Sequence, residues 1–188
     1  MKLRPLTIPD AYEMVPAVHQ DERGEFVEWY RASEVAAAAG YEMSVAQANL
    51  SVSRRGVVRG IHFVHLPPGQ VKYVTCVAGS VLDVVVDLRV GSPTYRCFDA
   101  VTLDDTQRRA VLIGNGLGHG FCALTETASV LYLCSTPYDA AAERQIDPLD
   151  PELGLPWPTT APILSVRDTQ APTLARAHAE GLLPVWRS

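Results

Sequence analysis

Residues 81–90 read VLDVVVDLRV. Side chains alternate between the two faces of an extended chain. Leu82, Val84, Val86, Leu88 and Val90 therefore share one face, and Asp83, Asp87 and Arg89 share the other. This pattern predicts a strand with one dry side and one polar side. The same alternation appears upstream, where Gln47, Asn49 and Ser51 oppose Ala48, Leu50 and Val52. Further strands are expected at 26–30, 71–77, 110–113 and 129–134, separated by the turn signals AGS, VGSP and GNGLG. Only two segments carry helical signals. One is 33–39, with Ser33 as N-cap and Gly40 closing it; the other is 174–180, closed by Gly181. Many short strands punctuated by 14 prolines and 13 glycines point to an all-β sandwich or double-sheet jelly roll, not to a parallel α/β sheet.

A chain of 188 residues is long enough for one domain with a sizeable core and short for two, so a single domain over 1–188 is expected. A net charge of −5 lacks the basic face that nonspecific nucleic-acid binding needs. The N-terminal MKLRPLTIPDAYEM has charge and proline where a signal peptide needs a continuous apolar run, and no apolar run reaches membrane-spanning length. A cytoplasmic protein without nucleic-acid or membrane partners is the expectation. Cys76, Cys97, Cys122 and Cys134 show no CxxC pairing and read as free thiols, mostly buried.

The chemistry-bearing stretch is 59–73, RGIHFVHLPPGQVKY. Its histidines read as metal ligands, as a general base beside Lys72, or as ordinary polar residues at strand ends. A metal site in a jelly roll usually adds a carboxylate at short spacing; here the residues after His65 are Leu66, Pro67, Pro68, Gly69 and Gln70. Alternation also sends His62 and His65 to opposite sides, which weakens the metal reading. In a small barrel the inward faces of separate strands converge. On that geometry Gln47, Asn49, His62, Lys72 and Tyr132 meet in one cavity; with the faces reversed they meet solvent. His119, after a glycine-rich turn, reads equally as a turn residue or a ligand contact.

The strings DERGEFVE, QANLSVSRRGVVRGIHF, PPGQVKYV, VVVDLRVGSPTY, GHGF, LYLCSTPY, ER…DP and LPWP follow one another between Asp21 and Asp168. In that order they resemble the dTDP-4-dehydrorhamnose 3,5-epimerase family. The resemblance implies a cupin-like jelly roll, a homodimer, no metal or other cofactor, and inversion of a nucleotide-linked 4-keto-6-deoxy sugar, the dTDP-4-keto-6-deoxyhexose. Hydrogens on carbons 3 and 5 of such a sugar are both α to the ketone, so a base can remove either one if the enolate is stabilised. By resemblance His62 is the base and Asp168, in LSVRD, orients it. Lys72 meets the enolate oxygen, and Tyr132 is the acid on the opposite face.

Arg23 and Arg59 match the family's ligand-binding arginines. Phe26 is suited to face the nucleobase, and Glu28, Gln47 and Asn49 to select it and orient the sugar. Tyr138 matches a second tyrosine at the sugar site, while His119, Glu143 and Arg167 match further substrate contacts. Arg167 is a departure, since lysine is usual there, and GNGLGHGF replaces a proline-containing loop. The C-terminal ARAHAEGLLPVWRS looks like the tail of relatives that make unusual sugars for secondary metabolites. Two other readings stand beside double inversion: a single-carbon 3- or 5-epimerase, and a noncatalytic or metal-dependent sugar-binding cupin.

Overall fold

A computed structural model of the chain describes residues 2–186; of the C-terminal string above, Arg187 and Ser188 lie outside the described residues. Two antiparallel sheets face each other. The six-stranded sheet runs, in spatial order, β1 (Lys2–Pro5), β2 (Ala11–Val15), β10 (Ala110–Ile113), β7 (Lys72–Ala78), β12 (Thr127–Cys134) and β5 (Gln47–Arg54). The five-stranded sheet runs β13 (Glu143–Gln145), β6 (Val58–Val64), β11 (Leu117–Ala123), β8 (Ser80–Asp87) and β9 (Phe98–Asp104). A separate hairpin pairs β3 (Val18–Asp21) with β4 (Gly24–Val27). This is the expected double-sheet, cupin-like jelly roll, with three short helices: α1 (Ala32–Ala39), α2 (Val166–Thr169) and α3 (Leu174–Ala179).

Between the sheets Val74, Cys76, Val111, Ile113 and Val130 meet Val81, Val85, Leu103, Leu117 and Phe121. Both outer faces are covered as well. Ile61, Phe63, Val84 and Val86 pack beneath Ile146, Leu153, Leu174, Ala177 and Leu183 of the C-terminal segment. Leaving those four strand residues wet would cost on the order of 10 kcal/mol, comparable to a domain's whole net stability. Met14, Tyr73 and Leu112 are covered by Val35 of α1 and by Met43.

The alternation in 81–90 is present, but its polar side is not wet. Asp83 and Asp87 are fully buried, because Val81 and Val85 of the same face line the interior between the sheets. The strand also ends at Asp87. Asp87 accepts hydrogen bonds from the Arg89 backbone and guanidinium and from the Ser92 and Thr94 hydroxyls, at 2.6–3.0 Å. These bonds turn the chain, so Leu88 and Val90 leave the ladder.

Other expectations need correction. The strand expected at 26–30 stops at Val27. Trp29 and Tyr30 pack instead against Tyr73, with ring centroids 5.5 and 5.2 Å away. Ser33 is not an N-cap: α1 starts at Ala32 behind Arg31, whose side chain makes no capping bond. Gly40 closes that helix with φ +76°, as expected. Cys76, Cys122 and Cys134 are buried and Cys97 is exposed; all four are free. Among the described residues no helix is long and apolar enough to cross a membrane.

Candidate active site

Strand β6 carries the decisive irregularity. Across from it, His119 and Phe121 of β11 stand two residues apart and share a face, yet they oppose His62 and Arg59, which are three apart. The extra residue is a bulge, and it turns Arg59 and His62 to the same inner side, which simple alternation forbids. Gly60 makes it possible. Its φ is +115°, and a Cβ there would lie 2.5 Å from the His119 carbonyl oxygen and 2.6 Å from the Gly120 Cα.

His62 opens onto a cavity of about 440 Å³ whose wall includes Gln47 and Asn49 of β5, Lys72 of β7, Tyr132 and Cys134 of β12, and Glu143 of β13. Gln70, Tyr138 and Arg167 complete the lining. The size suits a small-molecule site.

Behind His62 lies Asp168, 3 % exposed. Its carboxylate accepts from His62 Nε2 at 2.7 Å and from the Ser165 hydroxyl at 2.9 Å. Ser165 is the N-cap of α2, accepting the Asp168 backbone N–H at 3.0 Å, a contact that contributes about 1 kcal/mol. Burial alone would raise the Asp168 pKa; the hydrogen bonds from His62 and Ser165 and the charges of His62 and Arg167 outweigh it, holding the carboxyl below the ordinary carboxylate range. An ionised Asp168 can only accept, so His62 donates to it from Nε2, which leaves Nδ1 as the ring nitrogen able to take a proton.

Lys72 is 8 % exposed and forms no ion pair among the described residues. Burial pulls its pKa down, opposed by the carboxylates of Glu143 and Asp83; the neighbouring Cys134 thiol is itself pushed up by burial. Tyr132 is shifted upward, first by burial and then by Cys134 and Glu143, with Arg59 opposing. Its phenol therefore stays protonated, a proton donor held near a guanidinium. Arg59 is braced by Nε donating to Ser53 Oγ at 3.0 Å. Arg167 donates from Nε to Gln145 Oε1, and Gln145 Nε2 returns a bond to the Arg167 carbonyl at 3.1 Å. His119 is buried beside Asp83, with Nε2 2.7 Å from a carboxylate oxygen; the other oxygen of Asp83 has no hydrogen-bond partner among the described residues.

Of the residues expected at the site, Gln47, Asn49, His62, Lys72, Tyr132, Tyr138, Glu143 and Arg167 line one cavity. Asp168 stands behind His62, and Arg59 and His119 share the inner face of the barrel. Arg23, Phe26 and Glu28 do not line it. Arg23 pairs with Asp21, Phe26 is 70 % exposed on the hairpin, and Glu28 pairs with Arg31. Sequence reasoning missed Gln70 and Cys134 as lining residues, and Ser53, Gln145, Ser165 and Asp83 as supports. Cys134 has the parity of Tyr132 and could have been found; Gln145 and Ser165 carry no one-dimensional signal. No three of the described His, Cys, Asp and Glu side chains are grouped closely enough to hold a metal ion.

Residues 5–176 match the family model described as dTDP-4-dehydrorhamnose 3,5-epimerase. The chain belongs to the dTDP-4-dehydrorhamnose 3,5-epimerase family. Its class is that of the carbohydrate epimerases. It is 56 % identical over 186 residues to a dTDP-4-dehydrorhamnose 3-epimerase of Streptomyces niveus, covering 99 % of this chain and 90 % of the relative. It is 51 % identical over 187 residues to a dTDP-4-dehydrorhamnose 3,5-epimerase of Mycolicibacterium smegmatis, covering 99 % and 92 %. Among solved structures, the 4-keto-6-deoxy sugar epimerase from the novobiocin biosynthetic gene cluster of Streptomyces spheroides superposes with a TM-score of 0.97 at 56 % identity, over 99 % of this chain and 94 % of that one.

Proposed function

We propose that the cavity inverts carbons 3 and 5 of dTDP-4-dehydro-6-deoxy-D-glucose through enolates, with His62 as base and Tyr132 as acid. The observation that carries this reading is the His62–Asp168 pair in the wall of a cavity that Lys72 and Tyr132 also line. His62 takes the proton from the carbon α to the ketone. Lys72 meets the charge that develops on the ketone oxygen with a compact cation in a low-dielectric site. Tyr132 returns a proton from the other face, and its phenolate and the imidazolium exchange protons with solvent before the next turn. Arg59 and Arg167 supply cations for the diphosphate. Glu143 lies in the wall near enough to bias both Lys72 and Tyr132.

Single inversion at carbon 3 is the second reading, favoured by the name of the 56 % identical Streptomyces niveus relative; the presence of both Tyr132 and Tyr138 favours two inversions. Deuterium uptake from solvent, followed at each carbon separately by NMR, tests the proposal. Uptake at both carbons with inversion is expected, and its loss in His62→Asn. Turnover of that variant near the wild-type rate would remove His62 as the base.

The working unit we propose is a homodimer in the cytoplasm. Leu50 and Val52 of the edge strand β5 are 62 % and 58 % exposed, an apolar stripe on an unpaired edge. A second copy would also give the β3–β4 hairpin a role, since Arg23, Phe26 and Glu28 lie outside the cavity lining of their own chain and would meet the nucleotide in a neighbour's site. Sedimentation of wild type and Leu50→Asp tests this: the wild type should run as a dimer and the variant as a monomer.

A further inference from the structure

The rim of the cavity is tied by side chains at its base and on the neighbouring strand β5. After β12 the chain runs through Ser135, Thr136, Pro137 and Tyr138 before turning at Asp139 into β13. Gln70 Nε2 holds Thr136, donating to its carbonyl at 3.0 Å and its hydroxyl at 3.2 Å. At the far end His65 N–H donates to the Ala142 carbonyl at 3.0 Å. Between these anchors Pro137 has no N–H to give. The Tyr138 amide donates to Gln47 Oε1 at 2.8 Å. Among the described residues it is the bond that ties 137–138 to the body of the protein. Gln47 is itself fixed, since its Nε2 donates to Asn49 Oδ1 at 2.8 Å, and Asn49 Nδ2 leans on Cys134 Sγ at 3.7 Å. Tyr138 is 57 % exposed yet lines the cavity, which sets it at the mouth.

We infer that Gln47 is a positioning residue that acts through Tyr138: its carboxamide holds the rim tyrosine over the mouth and so slows escape of the sugar between the first and second inversions. This rests on the epimerase reading above. It differs from a direct substrate contact in that the bond at issue lies within the protein, from the Tyr138 amide to the Gln47 oxygen. Two inversions in one site require the singly inverted sugar to stay for a second deprotonation, so the product mixture is set by the ratio of second inversion to release. The residues that do the proton transfers act on both steps. A rim tie acts on release alone.

The test is a double-mutant cycle on the full chain. Gln47→Ala and Gln47→Met, the second keeping length without an acceptor, are made alone and combined with Tyr138→Ala, and melting temperatures check folding. The dissociation rate of an unreactive dTDP-6-deoxyhexose lacking the 4-ketone is measured by stopped flow. In parallel, the product from the 4-keto substrate is partitioned by NMR into singly and doubly inverted sugar.

Each Gln47 variant should release the ligand about fivefold faster, the ordinary net effect of one lost hydrogen bond, and shift product toward single inversion. Tyr138→Ala should do the same, and the combination should be no worse than Tyr138→Ala alone. Additive effects would mean that Gln47 touches the ligand directly and would overturn the inference, as would unchanged release. If wild type exchanges no solvent deuterium at all, the epimerase reading fails instead, while the release cycle still decides whether Gln47 works through Tyr138.

Discussion

Asp168→Asn isolates the electronic role of the carboxylate from its packing, because the side chains have the same shape. The local hydrogen bonds determine how the amide would sit. Ser165 Oγ already accepts from the backbone N–H of residue 168 at 3.0 Å and spends its own proton on the Asp168 side chain at 2.9 Å. Keeping that pattern puts the amide oxygen toward Ser165 and the NH2 toward His62. His62 Nε2, 2.7 Å away in the wild type, must then accept, so its proton moves to Nδ1, which is then no longer a base. The variant also loses a charge-assisted bond to the imidazolium that forms on proton abstraction, about 1.5–3 kcal/mol, or roughly 10- to 150-fold at 1.36 kcal/mol per decade. With the tautomer penalty added, kcat should fall on the order of 10³-fold, within the span of general-base effects and about a decade less than the roughly 10⁴-fold loss for the equivalent change in a serine-protease triad. KM should change little, since Asp168 does not line the cavity. The assay is carbon-resolved deuterium uptake with steady-state kinetics. A kcat within tenfold of wild type would refute both the tautomer argument and the role of Asp168.

Tyr132→Phe should keep solvent deuterium uptake on the His62 side while inversion falls at least about 100-fold; unchanged inversion at both carbons, with binding intact, would remove Tyr132 from the mechanism. Lys72→Met should lose turnover yet melt higher by a few degrees, at roughly 2–4 °C per kcal/mol, because burial disfavours the ammonium. The sign follows from its lowered folded pKa: wild type gains stability as pH rises from that value toward the unfolded value of 10.5, so the difference from Met should shrink there in denaturant titrations. The Asp168 carboxylate, whose folded pKa is depressed, should contribute stability that is present above its unfolded value of about 3.9 and lost as pH falls through the folded one; urea unfolding of wild type and Asp168→Asn between pH 7 and pH 2 should converge at the acid end. Gly60→Ala should destabilise by more than about 3 kcal/mol, read as a drop in melting temperature, because backbone atoms of His119 and Gly120 occupy the space.

Period-two alternation is a local property of an extended backbone, so it survives in one dimension. It was enough for the strand at 110–113, for most of those at 71–77 and 129–134, and for the parity that puts His62, Lys72 and Tyr132 on inner faces. Which face is dry is not local. Asp83 and Asp87 look solvated in VLDVVVDLRV and are buried, because a second sheet and a C-terminal cover, each supplied by distant residues, close over both sides of β8. Trp29 and Tyr30 read as strand and are pulled out of it by Tyr73. Asp168 meets His62 across 106 residues; family resemblance suggested that pairing, but only a four-residue helix capped by Ser165 aims the carboxylate. The bulge at Gly60, which brings Arg59 to the side of His62, and the hairpin that carries Phe26 away from the cavity also lie outside what alternation can express. Contacts between elements far apart in the chain decide these features, since the free energy that selects them is realised only when both partners are in place.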